Sequence, residues 1–130
     1  MIRAEDGMKP IYVKIAEWLE KEILAGNFQA DEKVPSQYQL AEMFNINPAT
    51  AAKGLNILVD EKILYKKRGL GMFVSAQGRE ILFQKRKNVT LKNMVLDLIL
   101  AGERVGVDRD QLIMMIKTVE IPEDQEGEEL

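Results

Sequence analysis

The apolar positions of this chain fall into helical and strand-like stretches in a definite order. From about Pro10 to Ala25, the residues Ile11, Ile15, Trp18, Leu19 and Ile23 recur at helical spacing. Pro10 suits a first helical turn, and Gly26-Asn27 ends the run. Asp31-Glu32-Lys33 reads as a turn and Val34-Pro35 as a very short strand. Ser36 opens a second helix: with Gln39 three residues on, it forms a capping-box pattern in which each side chain satisfies an orphan backbone donor. Leu40, Ala41 and Phe44 share the inner face. After Phe44-Asn45-Ile46, Asn47 is a good N-cap and Pro48 a good first residue for a third helix, with Ala51, Leu55 and Leu58 as its inward stripe. Two β-like runs follow, Ile63 to Lys67 and Met72 to Ser75. The two glycines of the link Arg68-Gly69-Leu70-Gly71 make them a hairpin.

Beyond Ser75 the pattern changes, and Gln77-Gly78 reads as a boundary. A helical region from about Arg79 to Ala101 carries Ile81, Leu82, Val89, Met94, Val95, Leu98 and Ile99, bent or restarted near Thr90. Gly102 to Val107 is a loop. Asp108 with Gln111 repeats the cap pattern and opens a last helix to about Val119. Its run from Leu112 to Ile116 is apolar nearly all round, so it needs partners on more than one side, and a second subunit is the natural supplier. The expected fold is mainly α with a small β-hairpin. A winged helix-turn-helix spans residues 1–75, a two-helix dimerisation tail residues 76–120, and an acidic end without fixed structure residues 121–130. The expected dimer face is Val95, Leu98, Ile99, Leu112, Met115, Ile116 and Val119.

Composition narrows the chemistry. Neither cysteine nor histidine occurs, which removes disulfides, thiolate zinc sites and the usual members of acid–base or nucleophilic triads. A Ser–Lys or two-carboxylate enzyme stays formally open, but no constellation of base, nucleophile and electrophile appears, so no enzyme and no cofactor is expected. No apolar run approaches the length of a membrane span, and Met1 to Lys9 has no apolar core of the signal-peptide kind, so the expected location is the cytoplasm. The net charge of −3 is misleading, because Glu120, Glu123, Asp124, Glu126, Glu128 and Glu129 outweigh it and leave the preceding chain net positive. Residues 1–75 hold ten basic and ten acidic side chains, with Lys62, Lys66, Lys67 and Arg68 crowded together. Such a head grips a phosphate backbone through local patches only.

Two helices joined by a short turn let the second lie in the major groove of double-stranded DNA while the first crosses the backbone. Asn45-Ile46-Asn47 is the turn here, and the reading helix starts at Pro48. Asn47, Ala49, Thr50 and Lys53 are its outward positions near the N-terminal end. The short Ala49 admits a close approach and offers a methyl to thymine, Thr50 can bond a phosphate or base edge, and Lys53 can reach a phosphate or guanine. Asn47 as a plain helix cap and Thr50 as a solvated surface residue are the competing readings. At the hairpin tip, Lys66, Lys67 and Arg68 precede Gly69 and Gly71, and glycines let the tip approach closely while the cations grip phosphate or enter the minor groove. An ordinary solvated charge run is the alternative.

These residues carry a family resemblance. Pro10 to Ala16, Ile23 to Gly26, Val34-Pro35-Ser36, Leu40-Ala41, Asn47 to Thr50 and Arg68 to Val74 resemble, in order and spacing, the GntR family of bacterial transcription regulators. The asparagine-proline start of the reading helix and the short two-helix tail are similar to its YtrA-type subfamily. The resemblance implies homodimers that repress transporter-type operons from palindromic operators. It adds Ser36, Gln37 and Tyr38, at the start of the second helix, to the expected DNA contacts. The chain departs from the pattern at Gln37-Tyr38-Gln39, where the family carries arginine, at Ala49 and Ala51, where asparagine and valine are usual, and at Met72, where threonine is usual; a family cation survives as Lys53. These departures imply an operator unlike the common ones, or weaker binding.

Residues 76–130 are too few to enclose a metabolite pocket of about 300 Å³ or more, so no small-molecule effector is required. Dimerisation is their expected role, setting two reading helices about 34 Å apart to match successive major grooves. An adaptable site between subunits lined by Met94, Met114 and Met115 competes with plain interface packing. The contrasting function is a winged helix used for protein–protein assembly, motivated by the neutral head and the missing arginine.

Overall fold

The computed structural model of the protein describes residues 9–123. The first helix, α1 (Ile11–Leu24), buries Ile15, Ala16, Leu19 and Ile23, the stripe that helical spacing predicts. It ends where Gly26 turns left-handed at φ +86°. That conformation, costly for a residue with a Cβ, lets the Gly26 and Asn27 amides return to the carbonyls of Ile23 and Glu22 at 3.1 and 2.9 Å.

The second helix, α2 (Gln37–Phe44), starts with the predicted capping box. The Ser36 Oγ accepts from the Gln39 amide at 3.1 Å, and the Gln39 Oε1 accepts from the Ser36 amide at 2.8 Å. Asn45 then adopts left-handed angles, φ 54° and ψ 54°, and the chain re-enters a helix three residues later, at Pro48. The third helix, α3 (Pro48–Asp60), has Pro48 at its first position and buries Ala51, Gly54, Leu55 and Leu58. At Gly54 the backbones of α1 and α3 come close enough that a Cβ there would stand 2.7 Å from the Tyr12 carbonyl oxygen.

A two-stranded antiparallel hairpin, β1 (Leu64–Lys67) and β2 (Gly71–Val74), pairs Leu64 with Val74, Tyr65 with Phe73, Lys66 with Met72, and Lys67 with Gly71. The short-strand expectation at Val34-Pro35 shifts slightly. The bridge centres on Lys33, opposite Phe73, and the Val34 amide donates to the Met72 carbonyl at 2.9 Å. Val34, Leu64 and Val74 point into the head core, together with Leu19, Leu40 and Leu58. Strand alternation therefore turns Lys33, Tyr65, Lys67 and Phe73 to the outer face.

The fourth helix, α4 (Gly78–Lys85), completes this core from beyond Ser75. Leu82 has no exposed surface and belongs to the same apolar cluster, with Ile81 packed against it. Arg79 fastens the helix by donating from Nη2 to the Leu24 carbonyl at 2.9 Å. The first compact unit accordingly extends to Phe83, past the boundary expected at Ser75, and a second begins at Gln84.

Near Thr90 the helix does not restart. A π-helical turn, Arg86–Leu91, leads into α5 (Lys92–Arg104) with right-handed angles on both sides. The sixth helix, α6 (Arg109–Thr118), opens with the predicted reciprocal cap between Asp108 and Gln111, both bonds at 2.9 Å. Within this second unit Leu112 is buried, its methyls lying against Gly102 of α5. The expected loss of structure at the acidic end lies outside the described residues from position 124 onward.

Candidate nucleic-acid interface

The local chemistry of α3 decides what its N-terminal end can present. Asn47 holds extended angles, φ −70° and ψ 134°, and its Oδ1 accepts the Ala49 amide at 2.8 Å. One orphan donor of the helix is satisfied, and the Asn47 amide nitrogen remains available to a ligand. Asn47, Ala49 and Lys53 are exposed and Thr50 half-buried. With Ala51 and Leu55 anchored inward, Ala49 and Lys53 are held on the opposite side of the helix, with Thr50 on its flank and Asn47 at its end.

Lys53 has a support that lies far away in sequence. Its Nζ sits 4.1 Å from the centre of the Tyr12 ring on α1. The ring face attracts the cation and restricts a long side chain that would otherwise sample many rotamers. Nothing in the sequence pattern pairs these positions. The contact exists because Gly54 lets α1 and α3 approach, bringing the neighbouring Lys53 over the ring.

At the start of α2, Ser36 and Gln37 are half-buried, and Ser36 is engaged in its cap. Tyr38 is 69% exposed, so the position where the family carries arginine does present a side chain to solvent, as a neutral phenol.

The wing sorts its cations by face. Lys66, Lys67 and Arg68 are all exposed. Alternation puts Lys67 on the outer face with Tyr65, and Lys66 on the other face with Met72. Tyr65 and Phe73 stack at 5.8 Å between ring centres, and the Lys67 ammonium lies 4.9 Å over Phe73 and 5.8 Å over Tyr65. Gly69 and Gly71 both have positive φ, +78° and +122°, which closes the tip. The Tyr65 hydroxyl donates to Asp31 Oδ1 at 2.8 Å, tying the wing to the loop before α2. That hydrogen bond, with lesser help from desolvation and the Asp31 charge, holds the Tyr65 phenol above its usual pKa of 10.0.

In the second unit, the expected dimer-face residues separate into two groups. Leu112 is consumed by packing inside its own chain. Val95, Leu98, Met115, Ile116 and Val119 are exposed, with Ile116 at 62% and Val119 at 69%, and Ile99 is half-buried.

Comparison with known proteins follows the same outline. The family model described as bacterial regulatory proteins, gntR family, matches residues 11–74. The HTH-type transcriptional repressor YtrA of Bacillus subtilis (strain 168) is 30% identical over 110 residues, covering 85% of this chain and 84% of that protein. The HTH-type transcriptional repressor NagR of the same organism is 40% identical over 75 residues, 58% of this chain, so the match spans only 31% of NagR. Among solved structures, a GntR family transcriptional regulator from Listeria monocytogenes superimposes with a TM-score of 0.70 at 28% identity, over 86% of this chain and 96% of that one. The AraR DNA-binding domain in complex with operator ORX1 gives a TM-score of 0.52 at 28% identity, over 58% of this chain and 90% of that one.

Proposed function

Because the chain belongs to the GntR family of bacterial regulatory proteins, whose members are transcription regulators and not enzymes, we propose that it is a homodimeric, cytoplasmic repressor that binds a palindromic operator of a transporter-type operon. The observation that carries this reading is the exposed end of α3, where Asn47, Ala49 and Lys53 stand clear of the core on a capped helix. In it, α3 enters the major groove, with Asn47, Ala49, Thr50 and Lys53 toward base edges and nearby phosphates. Ser36, Gln37 and Tyr38 contact the backbone from α2, and Lys66, Lys67, Arg68, Gly69 and Gly71 engage it from the wing. AraR's domain, similar in fold to residues in this head, is seen on an operator.

A head with so few uncompensated cations holds DNA weakly, and pairing offsets that weakness. Joining two heads raises the effective local concentration of the second to about millimolar, which strengthens overall binding by about 10²- to 10⁴-fold. The exposed apolar side chains of α5 and α6, among them Val95, Leu98, Met115, Ile116 and Val119, support a second copy as the covering surface, because a lone chain would leave them in water. No helix among the described residues is long and apolar enough to cross a membrane.

An electrophoretic shift with the upstream region of the protein's own operon tests the reading. A retarded complex that survives excess scrambled duplex is expected. No shift at low salt on any promoter-proximal palindrome would overturn it in favour of a winged helix serving protein–protein assembly, the reading that the neutral head and Tyr38 favour.

A further inference from the structure

The loop before α2 places one more cation on the wing. Lys33 pairs through its backbone with Phe73 of β2, so its side chain leaves on the outer face. From there the stem lies across Gly71: a Cβ at Gly71 would stand 2.8 Å from Lys33 Cε and 3.6 Å from its Nζ. Lys67, the cross-strand partner of Gly71, leans the opposite way, with its Nζ 4.9 Å over Phe73. Each lysine thus reaches toward the other's partner, so both ammonium groups stand on the same outer face of the wing, Lys33 beside Gly71 and Lys67 over Phe73.

Two cations on one face repel each other unless an anion or water screens them. The carboxylate on this face, Asp31, is engaged by the Tyr65 hydroxyl at 2.8 Å. Glu32, the next acidic residue, is turned by alternation to the opposite side, where it accepts the Gln29 amide at 3.0 Å. One carboxylate against two ammonium groups leaves the face net positive, and the absent Gly71 side chain makes room for the Lys33 stem to lie across it.

We infer that Lys33 and Lys67 form one seat for a DNA backbone phosphate on the outer face of the wing, with Lys33 a contact residue in its own right. The inference rests on the DNA-binding reading above and sharpens it. Among the wing cations, the face with Lys67 positions the phosphate, and its partner comes from a loop 34 residues earlier in the chain. A duplex is favoured over an acidic protein because the seat adjoins the hairpin tip of a DNA-binding family.

The test is the salt dependence of duplex binding by the full chain, measured with the upstream region and with a scrambled duplex of equal length. Lys33→Gln is expected to lower the slope of log affinity against log salt by about 0.9 per head, equally on both duplexes, as a phosphate contact must. Between 50 and 200 mM salt, the ratio of wild-type to variant affinity should therefore contract about threefold per head. Lys33→Arg should keep the wild-type slope, and both variants should melt like the wild type because Lys33 is exposed. A Lys33→Gln slope equal to wild type, while Lys67→Gln lowers it, overturns the shared seat and leaves the DNA-binding reading intact; that outcome is also the one an acidic protein partner would give. A wild-type chain that binds neither duplex overturns both.

Discussion

The ammonium of Lys53 lies 4.1 Å from the centre of the Tyr12 ring, joining the reading helix to α1 across 41 positions of sequence. A cation–ring contact at an exposed site contributes about 0.5–1 kcal/mol. If Lys53 meets DNA from this pose, Tyr12→Leu should weaken operator binding about two- to fivefold, and Tyr12→Phe should leave it unchanged. A double-mutant cycle checks the route. In a Lys53→Ala background the Tyr12→Leu loss should vanish, and a loss of equal size there would show that Tyr12 acts through something else.

Asn47 has two roles to separate. Its side chain caps α3, so Asn47→Ala should cost about 1 kcal/mol and lower the melting temperature by about 4–8 °C. Asn47→Ser keeps a capping oxygen and should melt near the wild type. If Asn47 also reads DNA, the serine variant loses affinity at full stability, a combination that a cap alone does not produce.

Gly54→Ala sets two effects against each other. Alanine improves helix propensity by about 1 kcal/mol. Its Cβ, however, would stand 2.7 Å from the Tyr12 carbonyl and 3.3 Å from Ile15 Cβ, and a backbone oxygen of another helix cannot swing aside. Overpacking of this kind costs about 1–3 kcal/mol, so net destabilisation is expected. Urea denaturation should show a lower midpoint at unchanged slope.

The tail predictions turn on which apolar residues are already occupied. Ile116 is 62% exposed, and Ile116→Glu should give monomers in sedimentation velocity if α6 is the dimer face. Leu112→Ala removes a side chain packed inside its own tail, so it should lower the stability of the tail by about 2–5 kcal/mol whatever the oligomeric state. Persistence of dimers in Ile116→Glu would place the interface elsewhere.

The parts of this molecule legible in its sequence are those set by neighbours along the chain. The reciprocal caps Ser36–Gln39 and Asp108–Gln111, the Asn47-Pro48 start of α3 and the glycine-closed wing all follow from residues within four positions of one another. Contacts made by packing were not legible. Tyr12 and Lys53 meet because of a missing side chain at Gly54, which looks in the sequence like a mere weak spot in a helix. Lys33 reads as a turn residue, and only the edge pairing with Phe73 reveals which way it points; the inward Val34 beside it was the available signal. Leu82 was assigned to the tail because its short helix continues without a break into later helical turns, whereas its side chain closes the head.

That placement of Leu82 bears on how the chain can be divided. Cleavage at Gln77 would not release a working head: it would remove Leu82 from a core in which that side chain is wholly enclosed, and take away the Arg79 tether to Leu24. The shortest fragment fit for structural or binding work therefore runs through Phe83, and a protease cutting in the loop after Ser75 would inactivate the head even though every residue expected to touch DNA stayed on the same fragment.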